Sequence, residues 1–257
     1  MKFDFSRLFF VGFFIVARMT RILALLLCFG YLGSMASQEC IFFAHRGANK
    51  DLPENTLSSI TTMIERGVKG IEIDVQFTQD HEVALLHDEC LFRTTGIHQK
   101  IGDITRKEIE KKKIEICFLE EVLALCKKHG VMCAIEIKED QDHAIIHKVH
   151  EKITQSSMQN LAMIYSFDLG LIKEFSRQNP PYQLHLNLDE DPMPYLSIAE
   201  KNGWGLNPGI FVITKEFVEA CNLATIPIHV WTVNDEMMME TLKCWKVDAI
   251  ISDELYR

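Results

Sequence analysis

From residue 41 onward, short runs rich in β-branched residues alternate with amphipathic stretches of helical period. That alternation makes an α/β chain, a (β/α)8 TIM barrel, the expected fold. The size agrees, because 257 residues suit a single barrel domain, and no long linker or internal repeat divides them. Titratable residues also gather where the apolar runs end, and a barrel of this kind collects its chemistry at the C-terminal ends of its strands.

Taken along the chain, the strand candidates are Ile41–Ala44, Gly70–Phe77, Glu82–His87, Val131–Ile137, Leu161–Ser166, Tyr182–Leu188, Ile228–Val233 and Ala249–Ser252. Near-continuous apolar character marks them as strands buried on both faces. A ninth short run, Trp204–Asn207, competes for a place. Helices are expected over Thr56–Arg66, Leu119–His129, His143–Ile153, Leu169–Arg177, Tyr195–Lys201, Lys215–Cys221 and Glu236–Trp245. Gly67 and Gly130 sit where helices stop, while Asn55, Thr214 and Asp235 are placed to cap helix starts. Between His87 and Leu119 the pattern weakens to a loop with one small basic helix, Arg106–Lys113.

The first 36 residues are of another kind. Two apolar runs, 8–17 and 22–33, flank Arg18 and Arg21, and Ser34-Met35-Ala36 resembles a small-residue cleavage site. Residues 1–36 therefore read as a signal peptide, with Met19 an alternative start, or as an uncleaved anchor that would associate residues 8–36 with a membrane. Either reading places the domain 37–257 outside the cytoplasm, as a secreted or periplasmic protein. Without the leader, 23 basic residues face 35 acidic ones, a net charge of −12. So acidic a surface argues against nucleic acid as a partner. Seven cysteines would remain, an odd and scattered set that forms no disulfide framework and no zinc motif.

Chemistry concentrates in a few places. AHRGANKDLPENTL, residues 44–57, ends an apolar run with His45, Arg46 and Gly47. Glu72 and Asp74 lie two apart in one strand and so share a face. Glu136 and Lys138 repeat that spacing at the end of Val131–Ile137. Two or three carboxylates converging in a barrel are costly unless a cation compensates them, and Mg²⁺ or Ca²⁺ prefers such oxygen ligands. His87 ends a further run, which gives two imidazoles suited to general acid and general base work near neutral pH.

The ordered set HRG, PENT, EID, HD, RTT, EIK, WTVN and ISD, spread over residues 41–257, resembles the glycerophosphodiester phosphodiesterase family. The resemblance implies a barrel shared with phosphatidylinositol-specific phospholipases C. It also implies hydrolysis of small glycerophosphodiesters to an alcohol and glycerol 3-phosphate with one divalent cation, Mg²⁺ or Ca²⁺. On the matching positions it makes His45 and His87 the acid–base pair. Glu72, Asp74 and Glu136 become the metal ligands, Arg46 and Lys138 the phosphate contacts, and Trp231 an aromatic at the pocket wall. The chain departs from the family at His81, where glycine is usual in the turn Thr78–His81, and at Cys117-Phe118, where Pro-Thr is common. A phospholipase D acting on choline-bearing lysolipids, or a non-catalytic exported binding protein, is the alternative. His143, His147 and His150 share one helix face and read as solvated rather than as a metal site.

Overall fold

A computed structural model describes residues 39–47, 50–138 and 144–254. The expected signal peptide or anchor, and His143, lie outside these residues. No helix among the described residues is long and apolar enough to cross a membrane.

Among the described residues nine strands form: β1 (Ile41–Ala44), β2 (Gly70–Phe77), β3 (Val83–Leu85), β4 (Met132–Ile137), β5 (Ala162–Ser166), β6 (Gln183–Leu188), β7 (Gly205–Pro208), β8 (His229–Val230) and β9 (Ala249–Ser252). Eight of them run parallel in the order β7-β6-β5-β4-β2-β1-β9-β8. Parallel bridges Leu206–Ile228 and Gly209–Trp231 bring β8 back beside β7. The nearly closed ring, with helices between successive strands, has the (β/α)8 architecture.

The strand count comes out at eight by a different route from the one expected. Val83–Leu85 is not a barrel strand. It pairs antiparallel with β2, Val75 opposite Leu85, and stands off the ring. Only Thr78–Glu82 joins the two strands, and a parallel crossover needs a dozen residues or more. The vacated place goes to Gly205–Pro208, which overlaps the competing ninth run Trp204–Asn207. The turn itself keeps an ordinary shape, because His81 adopts the left-handed φ of 56° that glycine would supply.

The helices are α1 (Leu57–Glu65), α2 (Phe92–Thr95), α3 (Arg106–Lys112), α4 (Leu119–His129), α5 (Ile145–Gln155), α6 (Leu169–Arg177), α7 (Leu196–Asn202), α8 (Lys215–Ala224) and α9 (Glu236–Trp245). Thr214 and Asp235 cap α8 and α9 as expected, accepting from Phe217 N and Met238 N. Asn55 does not cap α1. Thr56 does, and Asn55 is diverted to the site described below.

Period-2 alternation sorts the strand residues into two layers. Ile71, Ile73, Val75, Cys133, Ile135 and Ile137 face outward and pack under the helices in the main core. Phe43, Ala134, Tyr165, Ala249 and Ile251 pack together inside the ring. A separate small core of Ala84, Leu86, Leu91, Ile101, Ile104, Ile109, Ile114 and Phe118 lies under the excursion between β3 and α4. All seven described cysteines are free, and Cys117, Cys126, Cys133 and Cys221 are buried as small apolar residues.

Candidate active site

The site is built on residues that leave the strands at their C-terminal ends. β1 ends at Ala44, and His45, Arg46 and Gly47 turn away from it at once. Gly47 sits at φ 63°, and a Cβ there would lie 2.4 Å from Ile60 Cγ1, so only glycine lets the turn press against α1. The turn delivers the Arg46 backbone N–H to Glu72 Oε2 at 2.8 Å.

Glu72 and Asp74 face inward from β2, both almost fully buried, and Asp74 is in register with Glu136 on β4. One oxygen from each of the three carboxylates lies within 4.8 Å of the others, and this is the only such metal-capable group among the described residues. Each carboxylate has one oxygen held by a donor of the protein. Arg46 N holds Glu72 Oε2, Asn55 Nδ2 holds Asp74 Oδ2 at 2.9 Å, and Asn187 Nδ2 holds Glu136 Oε2 at 3.0 Å. Lys138 Nζ lies 2.8 Å from Asp74 Oδ1 and also binds Glu136 Oε1. Glu72 Oε1 is buried and accepts no hydrogen bond.

Two buried carboxylates and a partly buried third lie close together, with one ammonium bound to two of them, and their proton affinities record the crowding. Burial, then the neighbouring Asp74, pushes Glu72 up to about 8. Burial and Asp74 also raise Glu136, against the pull of Lys138. For Asp74 burial acts upward too, but Lys138 and Asn55 outweigh it and hold this acid below its ordinary range. An all-oxygen donor set with an unsatisfied buried oxygen and uncompensated charge fits a hard divalent cation.

Each candidate histidine has a carboxylate on its Nδ1. His45 Nδ1 is 2.7 Å from Asp253 Oδ1, just past β9, and His87 Nδ1 is 2.7 Å from Asp88 Oδ1. Nε2 is thereby the nitrogen left for chemistry on both rings. Burial would lower the His45 pKa, but the Asp253 hydrogen bond and the charge of Glu72 overcome it and leave the imidazole more basic than usual. His87 follows β3 rather than a barrel strand. The side-chain NH₂ of Gln76, near the end of β2, lies 2.9, 3.0 and 2.9 Å from the carbonyls of Leu86, His87 and Asp88, which share its two hydrogens.

Arg93 joins the two halves. Its guanidinium spans Glu54 at 2.6 and 2.7 Å and also binds Asp88, while Glu54 accepts from Arg46 Nη1 at 3.1 Å. Arg46 Nε lies 3.8 Å from Asp74 Oδ2 without a hydrogen bond. Trp231 is half-buried just past β8. Its indole N–H donates to Asn207 O at 2.7 Å, and its ring meets Phe167 edge-on at 5.3 Å. Beside Lys138 and Glu136 a cleft of about 500 Å³ opens, lined by Phe167, Asn187 and Tyr195. A second, of about 730 Å³, lies between Lys138 and His87.

All eight residues expected at the site are thus at or beside the mouth of the ring. Asp253, Asp88, Glu54, Arg93, Gln76 and Asn187 were not singled out from sequence. Glu54 in Pro-Glu-Asn-Thr, Asp88 in His-Asp, Arg93 in Arg-Thr-Thr and Asp253 in Ile-Ser-Asp lie within the motifs that carry the resemblance, whereas Gln76 and Asn187 carry no local signal.

Two imidazoles, two cationic side chains and three carboxylates thus gather at the mouth of a (β/α)8 ring, where a barrel of this kind carries its chemistry. The chain belongs to the glycerophosphoryl diester phosphodiesterase family, whose sequence profile matches residues 45–256. It is an enzyme of the phosphoric diester hydrolase class. It is 32% identical over 228 residues to a glycerophosphodiester phosphodiesterase of Bacillus altitudinis, covering 82% of this chain and 93% of that one. Identity to the enzyme of the same description from Caldanaerobacter subterraneus subsp. tengcongensis is 30%, with 83% and 94% covered. The crystal structure of a Thermotoga maritima glycerophosphodiester phosphodiesterase superposes with a TM-score of 0.73 at 29% identity, covering 84% of this chain and 95% of that one. An Oleispira antarctica phosphodiesterase, crystallised with the product sn-glycerol-3-phosphate, shares the fold with a TM-score of 0.77 at 24% identity, covering 83% and 92%.

Proposed function

We propose that the protein hydrolyses glycerophosphodiesters to an alcohol and glycerol 3-phosphate, with His45 and His87 as the acid–base pair. The observation that carries this reading is the cluster of Glu72, Asp74 and Glu136 set beside two imidazoles whose Nδ1 atoms are already engaged. The glycerol 3-phosphate bound by the Oleispira antarctica relative supports the choice of substrate.

Glu72, Asp74 and Glu136 would hold one divalent cation, Mg²⁺ or Ca²⁺, which when bound supplies positive charge against a phosphodiester oxygen. Arg46 and Lys138 stand at the same mouth and offset the charge that grows on the phosphoryl oxygens in the transition state. His87 accepts the proton of the attacking hydroxyl at Nε2. His45, kept basic by Asp253, carries a proton on Nε2 and hands it to the departing alkoxide. Trp231 and Phe167 form an apolar wall for the glycerol carbons.

The test is turnover of a panel of glycerophosphodiesters by purified protein, with glycerol 3-phosphate release as the readout. Activity with Mg²⁺ or Ca²⁺ that chelation removes is expected. Turnover that survives exhaustive chelation overturns the cation role, and no turnover of any member overturns the substrate class. Export through residues 1–36 is part of the proposal, and an intact Met1 or Met19 on native protein in the cytoplasm would refute it.

A further inference from the structure

Below the carboxylates, the barrel interior holds polar residues that the chemistry above does not use. His185 and Asn187 face inward from β6, Asn207 from β7, His229 from β8 and Tyr165 from β5, all of them buried. Buried polar side chains are costly unless satisfied, and these are satisfied in a directed chain. Asn187 Nδ2 donates to Glu136 Oε2 at 3.0 Å, Asn207 Nδ2 donates to Asn187 Oδ1 at 2.9 Å, and His185 Nδ1 lies 2.8 Å from Asn207 Oδ1. The direction is fixed from one end. An ionised carboxylate only accepts, so Asn187 must present its NH₂ to Glu136 and its oxygen to Asn207. Asn207 then turns its own oxygen to His185, which must carry its proton on Nδ1.

Space is reserved for this chain. A Cβ at Gly205 would lie 2.2 Å from His185 Nδ1, so β7 carries glycine where the imidazole lies across it. Tyr165 and His229 form a neighbouring pair, hydroxyl to Nδ1. His229 touches the chain only through its ring, whose centroid is 4.3 Å from that of His185.

We propose that Asn187, Asn207 and His185 are positioning residues that aim the Glu136 carboxylate at a divalent cation. They pin Oε2 from the barrel interior, while Oε1 is met by Lys138, which also binds Asp74 of the cluster. The proposal rests on reading Glu72, Asp74 and Glu136 as the cation site. Outer hydrogen-bond partners of a metal ligand typically change metal affinity by about 10–100-fold when removed.

The experiment titrates Mg²⁺ and, separately, Ca²⁺ into metal-free full-length protein by calorimetry. Asn207→Ala breaks the chain one residue away from Glu136, and Asn187→Ser breaks it at the rim, where water can enter if the first variant does not fold. Tyr165→Phe is the control, because it removes a buried hydrogen bond of the same interior without cutting the chain to Glu136. Both breaking variants should bind the cation about 10–100-fold more weakly, with Tyr165→Phe binding like the wild type. Equal affinity in wild type and the breaking variants overturns the relay alone. So does equal weakening in Tyr165→Phe, which would mark a general loss of packing. A wild type that binds neither cation overturns the reading of the site, and the relay falls with it.

Discussion

At the residue scale, Asp253 has the most specific consequence. It holds His45 Nδ1 at 2.7 Å and keeps the imidazole pKa above its ordinary value, against the effect of burial. Removing the carboxylate leaves burial unopposed by its main counterweight, so the pKa falls. A general acid must be protonated to act, so Asp253→Asn should move the alkaline limb of the kcat/KM profile to lower pH. At neutral pH kcat should fall by about 10²–10⁴-fold at most, the size of a general-acid contribution. An unshifted alkaline limb would take the acid role from His45. In His45→Ala and His87→Ala the loss should be of that same size with the melting temperature kept, since both rings are partly exposed and fill no core position. The residues legible from sequence were those whose signal is local. His45, Arg46, Glu72, Asp74, Glu136 and Lys138 each stand in a short polar interruption of an apolar run. Asp253 is 208 residues from the histidine it orients, and Asn187 is 51 from Glu136. Nothing in their own neighbourhoods announces those contacts.

At the scale of elements, the β2–β3 hairpin places His87, one half of the proposed acid–base pair. Gln76 engages three successive carbonyls around His87 through one amide, and Leu86 N donates to Asp74 O at 3.1 Å. Gln76→Ala should therefore lower kcat by about 10-fold or more, in the way that small misplacements of catalytic groups do. The cation affinity of the carboxylate cluster should stay as in the wild type, because Gln76 touches none of its oxygens. An unchanged kcat would show that the Leu86 tie alone fixes the loop. Strand lengths and most helices were readable from apolar periodicity, but strand direction was not. The five residues Thr78–Glu82 hold the information that β3 must be antiparallel, and a count of apolar runs does not use it. The run Trp204–Asn207, which overlaps β7, is weak in sequence for a related reason. Its barrel role depends on glycine making room for His185, and a glycine weakens the very pattern by which strands are found.

For the whole molecule, the neutral imidazoles inside the ring set a limit in acid. Burial lowers the pKa of His185 to about 4, and that of His229 well below its ordinary value, with His185 adding to the effect. Both folded-state values lie under the unfolded value of about 6.5. The unfolded chain thus takes up protons first as pH falls, and stability drops through that window. For His185 the loss is on the order of 3 kcal/mol between about pH 6.5 and 4, at 1.36 kcal/mol per unit. Urea denaturation of the cation-loaded protein should show a steeper fall across this range in the wild type than in His185→Gln, whose side chain does not titrate. Parallel slopes would mean that His185 is already charged in the fold.

The small second core should give this enzyme two stages of response to heat. His87 and its holders Asp88 and Arg93 belong to the excursion that packs on Leu86, Leu91, Ile101 and Ile104, whereas His45 and the carboxylates belong to the ring. Segments with fewer buried contacts open at lower free energy than the domain they sit on. On slow warming, turnover should fade while the barrel keeps its far-ultraviolet circular dichroism and still takes up its cation. Amides of residues 88–118 should exchange with deuterium ahead of those in β2 and β4. Cooling should restore activity in full, so heat acts on this protein first as a reversible off-position and only later as a denaturant.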